Sequence, residues 1–461
     1  MVTQSKAPPG TTDDIDELEL VSEFEPDIHT PPPGPLAGGM VNRDVKVISP
    51  SYTRSYPFVM ERGKGCMVWD VDGNRYIDFT AGVAVLNTGH CHPEVVQAVK
   101  DQAEKFLHMA GTDFYLPNAI ELAETLGRIT PGDYEKQVFF TNSGTESVEA
   151  AMKLCRHHTG RPVLISFLGA FHGRTYGSMS LSSSKYLHRT GYQPLLAGIY
   201  QAPYPNTYRP PFDAPAGKLG RACVDYIEKT MFRHLVSPHE VAGIFVETIQ
   251  GEGGYVVPPD DFYPALRDLC DRHDIPLVAD EVQSGMGRTG KMFAMEHWDV
   301  VPDVICIAKG IASGLPLGAI VAPSEMMTWP SGAHANTFGG NPLAVAAALA
   351  TIRLLEDGLL DNTNEVGGHM RARLETWVDR YDFVGDVRGK GLMLAVDFVS
   401  DKETKLGDHE MRDRIVDESF KKGLLLLGAG PSTIRFCPPL VIDKATADEG
   451  LAVMEKVMDA I

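Results

Sequence analysis

In the stretch 303–316, DVICIAKGIASGLP, a continuous apolar block of buried-strand type ends at Lys309 and Gly310. A lysine there either marks where a strand surfaces or serves as a Schiff-base nucleophile. At the mouth of an apolar strand its ammonium is partly desolvated, which lowers its pKa and frees the amine for attack on a carbonyl carbon. The segment PLVADEVQSGMGRTG likewise ends a strand on a carboxylate, Asp280, which needs a cationic partner in such a setting. A protonated pyridine nitrogen meets that need, and the pairing turns its ring into an electron sink.

Upstream, the strand VFFT runs into NSGTESVEAAMKLCRHHTG, where Ser143 and Glu146 fit a capping box. Gly144 lets backbone amides, with the hydroxyls of Ser143 and Thr145, approach a phosphate at the positive end of a helix; an ordinary capped helix has the same pattern. The motif AFHGRT follows the strand PVLISF. In it Phe171 either stacks on a planar ligand or packs in the core, and Arg174 can grip a carboxylate with two parallel hydrogen bonds. VETIQGEGG sets Glu247 and Glu252 beside glycines, a pattern shared by acid/base pairs, salt bridges and solvated loops. Taken together, Asp280, the helix start and Lys309 describe a pyridoxal phosphate site, provided one sheet edge carries all three.

The surrounding pattern supplies such an edge. Candidate strands QVFFT, PVLISF, VAGIFVET, PLVAD, DVICIA and GAIVA alternate with helical stretches, the signature of an α/β fold with a mainly parallel sheet. Ligands bind such sheets at the carboxyl ends of the strands. The 461 residues allow two domains. We expect an acidic, Pro-rich disordered tail at 1–40, an N-terminal segment at 41–100, a large domain at 101–345 and a smaller α+β domain at 346–461. In the tail, Leu18, Leu20, Val21 and Phe24 are either solvated or form a short docking helix. CMVWDVDGNRYIDF reads as a hairpin turning at Asp72, Gly73 and Asn74, and Pro93 opens an amphipathic helix. TIRFCPPLVI and GDVRGKGLMLAVDFV read as strands of the smaller domain, and HEMRDRIVDESFKKG as a helix.

The net charge of -19 argues against nucleic acid or an anionic membrane as partner. With no apolar run of roughly 18 residues and no signal-peptide pattern, a cytoplasmic protein is expected. The seven cysteines are scattered without a CxxC pair, and His90, Cys91 and His92 form only one local cluster, so neither disulfides nor a metal site is expected.

The motifs NSGTESVEAAMKLCR, AFHGRT, VETIQGEGG, ADEVQSGMGRTGKMFAMEHW, AKGIASGLPLGA and NTFGGNPLA, in order from about residue 45 to 457, resemble those of class III, or ω-amino-acid, aminotransferases. The resemblance is greatest to 4-aminobutyrate, acetylornithine and ornithine aminotransferases and related amino-acid racemases. It implies a fold-type I transferase whose small domain draws on both the N- and C-terminal segments, with pyridoxal 5'-phosphate as cofactor. It also implies a homodimer, or a dimer of dimers, with shared active sites. Residue by residue, Lys309 would carry the cofactor, Asp280 pair with its pyridine nitrogen and Phe171 stack on its ring. Gln283 would contact the ring hydroxyl; Ser143, Gly144 and Thr145 would hold the phosphate, and Thr337 would reach the phosphate of the neighbouring subunit. His172 and Glu247 complete the cofactor surroundings.

For the substrates, Arg435 resembles the arginine that binds the α-carboxylate of 2-oxoglutarate or glutamate, and Glu252 its gating carboxylate. Arg174 resembles a second carboxylate-binding arginine. Val83 stands where ornithine aminotransferases have a tyrosine, and resembles the isoleucine of 4-aminobutyrate and acetylornithine enzymes. The implied reaction moves an amino group from such an ω-amino acid to 2-oxoglutarate. The alternatives are ornithine as donor and racemisation, since the 200–212 insertion YQAPYPNTYRPPF is similar to that of a prokaryotic group that includes racemases.

Overall fold

The computed structural model of the chain describes residues 25–461; the segment around Leu18, Leu20, Val21 and Phe24 lies outside them. The apolar runs form a seven-stranded sheet. Its strands are β1 (Lys136–Thr141), β2 (Val163–Phe167), β3 (Ile199–Ala202), β4 (Val241–Glu247), β5 (Leu277–Asp280), β6 (Val304–Ile307) and β7 (Gly318–Pro323). Their order is β1-β7-β6-β5-β4-β2-β3. Strands β2 to β6 pair in parallel, whereas β7 is antiparallel to both β1 and β6.

The central strands are buried along their whole length, so they need no polar alternation and read as unbroken apolar runs. The helix Gly144–Thr159 covers one face, its Val148, Ala151, Met152 and Cys155 sharing a core cluster with Phe245, Val278 and Ile320. The shared strand direction brings the ends of β1, β2, β4, β5 and β6 to one edge. Register sets Glu247 against Asp280, and Asp280 against Cys306, shortly before Lys309.

Two further sheets build the smaller α+β part. Strands Met67–Asp70 and Arg75–Asp78 form the expected hairpin, and Leu424–Leu425 from the C-terminal segment joins it in parallel. GDVRGKGLMLAVDFV divides into the hairpin Val384–Lys390 and Met393–Asp401, which Thr433–Phe436 extends. Arg435 therefore projects from a strand rather than a loop.

Residues 25–40 depart from the expected disordered tail. Asn74 Oδ1 accepts the amides of His29 and Thr30, both at 2.9 Å, and the helix Pro35–Val47 starts on the carboxylate of Asp72, which accepts Leu36 N and Ala37 N at 2.8 Å each. The turn that closes the hairpin thus caps a helix 36 residues away. Local composition carries no sign of such a cap, which is why the segment reads as unstructured. Among the described residues no helix is long and apolar enough to cross a membrane.

Candidate active site

Lys309 follows β6 with a positive φ of 47°, a conformation uncommon outside glycine, and its side chain is partly buried. Among the described residues its ammonium makes no hydrogen bond or ion pair. Burial, and then the Arg435 guanidinium, push its pKa down from that of an ordinary lysine, while Asp280 and Glu247 oppose the shift. The result is an amine nearer its nucleophilic form than a surface lysine.

Asp280 is 5% exposed. Its Oδ2 accepts from His172 Nδ1 at 2.7 Å and its Oδ1 from Val282 N at 3.0 Å, which leaves lone pairs on both oxygens for a further donor. His172 is buried, its amide is held by Ser182 Oγ at 2.8 Å, and its Nε2 has no partner. Glu247 accepts the amides of Phe171 (2.7 Å) and Gly251 (3.0 Å) and so ties the β2 loop to the β4 loop. Burial drives its pKa up to about 7, against the pull of the nearby His172. Gln283 is held by Tyr255, whose hydroxyl donates to Gln283 Oε1 at 2.7 Å.

At the start of the Gly144–Thr159 helix, Ser143 Oγ accepts from Glu146 N at 3.4 Å. The reciprocal half of the expected capping box is shifted: Glu146 Oε2 accepts from Asn142 N at 2.7 Å rather than from Ser143. The Thr145 hydroxyl shares bonds with Ser178 (2.6 Å) and Thr175 (2.8 Å). As at any helix start, the first amides lack intrahelical acceptors and can donate to an anion. Gly173, at φ 134°, lies so close that a Cβ would stand 2.3 Å from Thr145 Oγ1.

The outer part of the site is cationic. Arg174 is exposed, with its guanidinium 5.4 Å from the centre of the Phe171 ring, whose edge His188 meets. Arg435 is buried; its Nη1 lies 3.3 Å from Glu252 Oε2 and its Nε has no partner. Lys185 Nζ donates to the other oxygen of Glu252 at 2.6 Å. Motif reading passes over Lys185, His188 and Tyr255; the first two sit in SSSKYLHRT, a loop without strand, cap or glycine signal.

Among the described residues, the expected Thr337 and Val83 make no hydrogen bond or ion pair with this cluster. Thr337 is exposed. Val83 lies in a turn where Ala81, Gly82, Val83 and Ala84 all have left-handed φ, 45°, 62°, 68° and 57°. For a β-branched residue that is a costly conformation. Ala84 packs in one buried cluster with Ile249, Tyr255 and Cys437, so the turn abuts the layer beneath the site. His90, one of the residues of the local His/Cys cluster, instead pairs with Asp78 at 2.9 Å.

An unpaired lysine, a carboxylate with spare lone pairs and a helix start with free amides fit the three polar ends of pyridoxal phosphate: its aldehyde, ring nitrogen and phosphate. Comparison with known proteins agrees. The family model for class III aminotransferases matches residues 48–458. The alanine/serine racemase of Pyrococcus horikoshii is 40% identical over 450 residues, 96% of this chain and 94% of that one. The probable 4-aminobutyrate aminotransferase of Bacillus subtilis is 40% identical over 401 residues, 86% of this chain and 91% of that one. An amine transaminase from an uncultivated Pseudomonas species, solved with PLP bound, superposes with a TM-score of 0.83 at 32% identity, covering 90% of this chain and 98% of that one. The chain belongs to the class III aminotransferases, pyridoxal phosphate enzymes of fold type I.

Proposed function

We propose that this enzyme transfers the amino group of an ω-amino acid, of 4-aminobutyrate or acetylornithine type, to 2-oxoglutarate, releasing the aldehyde and glutamate. The observation that carries this is the Arg435–Glu252 pair: a buried guanidinium held by one loose contact at 3.3 Å, with Nε unpartnered. Such a group is ready to exchange its carboxylate for that of a substrate. With Glu252 on Arg435 the site takes a donor without an α-carboxylate; with Glu252 withdrawn it takes a dicarboxylate, whose second carboxylate meets Arg174. Val83 offers no polar group for the α-amino group of ornithine, which weighs against that donor.

Bound pyridoxal phosphate supplies an electron sink for the pair left on the substrate carbon when its proton departs. Lys309 would hold the cofactor, and its Nζ, when free, would be the base that takes the proton from the amine-bearing carbon and the acid that later gives it up. Asp280, oriented by His172, keeps the ring nitrogen protonated. Ser143, Gly144 and Thr145 bind the phosphate, Phe171 stacks on the ring, Gln283 meets the ring hydroxyl, and Glu247 fixes the loop beneath it. A homodimer completes the site through Thr337 of each chain.

Racemisation is the second reading, favoured by the likeness to the alanine/serine racemase. The deciding experiment incubates single enantiomers of alanine and leucine, 4-aminobutyrate, acetylornithine and ornithine with and without 2-oxoglutarate. Turnover of 4-aminobutyrate or acetylornithine that requires 2-oxoglutarate is expected. Loss of optical activity without any keto acid would replace the reading by the second one, and a Lys309→Ala protein that still turns over would remove the lysine from its role.

A further inference from the structure

Glu252 has two cationic partners, and Arg435 is the more loosely held. Lys185 Nζ donates to Oε1 at 2.6 Å, while Arg435 Nη1 stands 3.3 Å from Oε2. The side chains grade from the interior outward: Arg435 is 8% exposed, Glu252 19% and Lys185 39%. Glu252 is pinned by its backbone, since its carbonyl accepts Gly430 N at 2.7 Å, and the carbonyl of Gly254 accepts Arg388 Nη2 at 2.6 Å. The Lys185 loop is pinned as well, by the amides of Ser183 and Ser184 on the carbonyl of Ala170 at 2.7 and 3.0 Å. Any transfer of the Glu252 carboxylate is therefore a side-chain rotation between fixed anchors.

For a substrate carboxylate to take Arg435, Glu252 must leave it. A largely buried carboxylate that withdraws with no counter-charge is costly, because removal of one partner leaves the other desolvated and unpaired. Lys185 removes that cost. We propose that Lys185 is a positioning residue for the anionic substrate: it holds Glu252 through the withdrawal, so that Arg435 passes to the substrate carboxylate while Glu252 stays paired. The proposal rests on the reading of Arg435 as the carboxylate site. It assigns the outer loop a part in selecting between donor and dicarboxylate, as the ion pair that sets how readily the inner one opens.

The test measures binding of glutarate, an unreactive dicarboxylate, to the cofactor-loaded enzyme by calorimetry. In Lys185→Met, Glu252 is left to Arg435 alone, and the Kd for glutarate is expected to rise about three- to tenfold, the worth of a partly exposed ion pair. Lys185→Arg is expected to restore the wild-type value. In a Glu252→Gln background, Lys185→Met is expected to change nothing, because no carboxylate remains to be held. The same rise is expected in KM for 2-oxoglutarate, without a matching rise in KM for an amine donor that lacks a second carboxylate. Equal weakening in both backgrounds would mean that Lys185 attracts the ligand directly and would overturn the proposal, as would an unchanged Kd in Lys185→Met. A wild-type holoenzyme that binds no glutarate would overturn the reading of Arg435 itself, and this proposal with it.

Discussion

His172 Nδ1 donates to Asp280 Oδ2 at 2.7 Å, and the imidazole is closed off from solvent with its Nε2 unpartnered. Burial opposes a positive charge on this ring, yet the hydrogen bond and charge of Asp280, with the charge of Glu247, raise its pKa above that of an ordinary histidine. The pair is therefore a coupled unit in which the histidine fixes the carboxylate and the carboxylate keeps a proton on the histidine.

Asp280→Asn separates the two functions of this unit. Asparagine preserves the shape but presents no anion to a ring nitrogen, so the electron sink weakens. We expect the half-reaction with a single amino donor to slow by at least about a hundredfold. His172→Phe keeps the anion and removes its orientation, with an expected loss of about ten- to a hundredfold, chiefly in cofactor retention. Single-turnover absorbance and equilibrium dialysis of the cofactor distinguish the two; equal effects on both readouts would contradict the division of labour.

Glu281, next in sequence, faces away from this chemistry. It is buried and accepts from Thr248 Oγ1 (2.9 Å), Met295 N (2.8 Å) and Ser284 Oγ (2.6 Å), and burial pushes its pKa up to about 7. A carboxyl whose pKa is raised by folding stabilises the fold fully below its unfolded value and loses that contribution as pH rises through the folded one. Glu281→Gln keeps an acceptor for Thr248 and Met295 and offers a donor to Ser284. It should raise stability by about 3 kcal/mol at pH 8 and by little at pH 4.5, read as denaturant midpoints. A gain independent of pH would show that packing, not ionisation, sets the difference.

Gly173→Ala tests the hydroxyl cluster behind the helix start proposed to hold the phosphate. The residue has φ 134°, and an added Cβ would stand 2.3 Å from Thr145 Oγ1 and 2.6 Å from Ser178 Oγ. Both the left-handed backbone and the contact cost energy, on the order of 1–3 kcal/mol each. The expected outcome is weaker phosphate binding, seen as a lower affinity for free pyridoxal phosphate, with a smaller loss for pyridoxal lacking the phosphate. Equal loss for both ligands would move the effect from the helix start to the fold as a whole.

Much of this site is legible in the sequence because its parts close apolar strands. Lys309 and Asp280 each end a run that buries itself on both faces, and a parallel sheet brings such ends together. Of the seven strands of this sheet, β3, the strand IYQA, is the one that pattern reading misses: it is short, lies at the sheet edge and is only partly buried, so it has no unbroken apolar run. Pairings that depend on tertiary approach leave no local trace. Asp72 caps a helix 36 residues upstream, and Lys185 meets Glu252 67 residues on, with nothing in either loop to announce it. The left-handed turn at 81–84 is hinted at only by Gly82, and a valine at φ 68° runs against every propensity.

The proposed dimer makes a prediction of its own. Thr337 is exposed beside Phe338, which is 58% exposed, and Tyr115, 96% exposed, lines one cavity with Asn336 and Gly339, which flank that pair; exposed apolar groups of this kind are what a second copy covers. If Thr337 serves the neighbouring subunit, Thr337→Val should weaken cofactor binding about tenfold, the worth of one hydrogen bond to a charged group. Lys309→Ala should be inactive on its own. In a heterodimer of these two variants, the Thr337→Val subunit keeps its own Lys309 and receives an intact Thr337 from its partner, so one of the two sites is wild type. Co-expressed, differently tagged chains purified as the heterodimer should therefore bind cofactor at that site with wild-type affinity and show about half of wild-type turnover at limiting cofactor. A threonine acting within its own chain predicts no recovery, since each subunit would then carry its own defect.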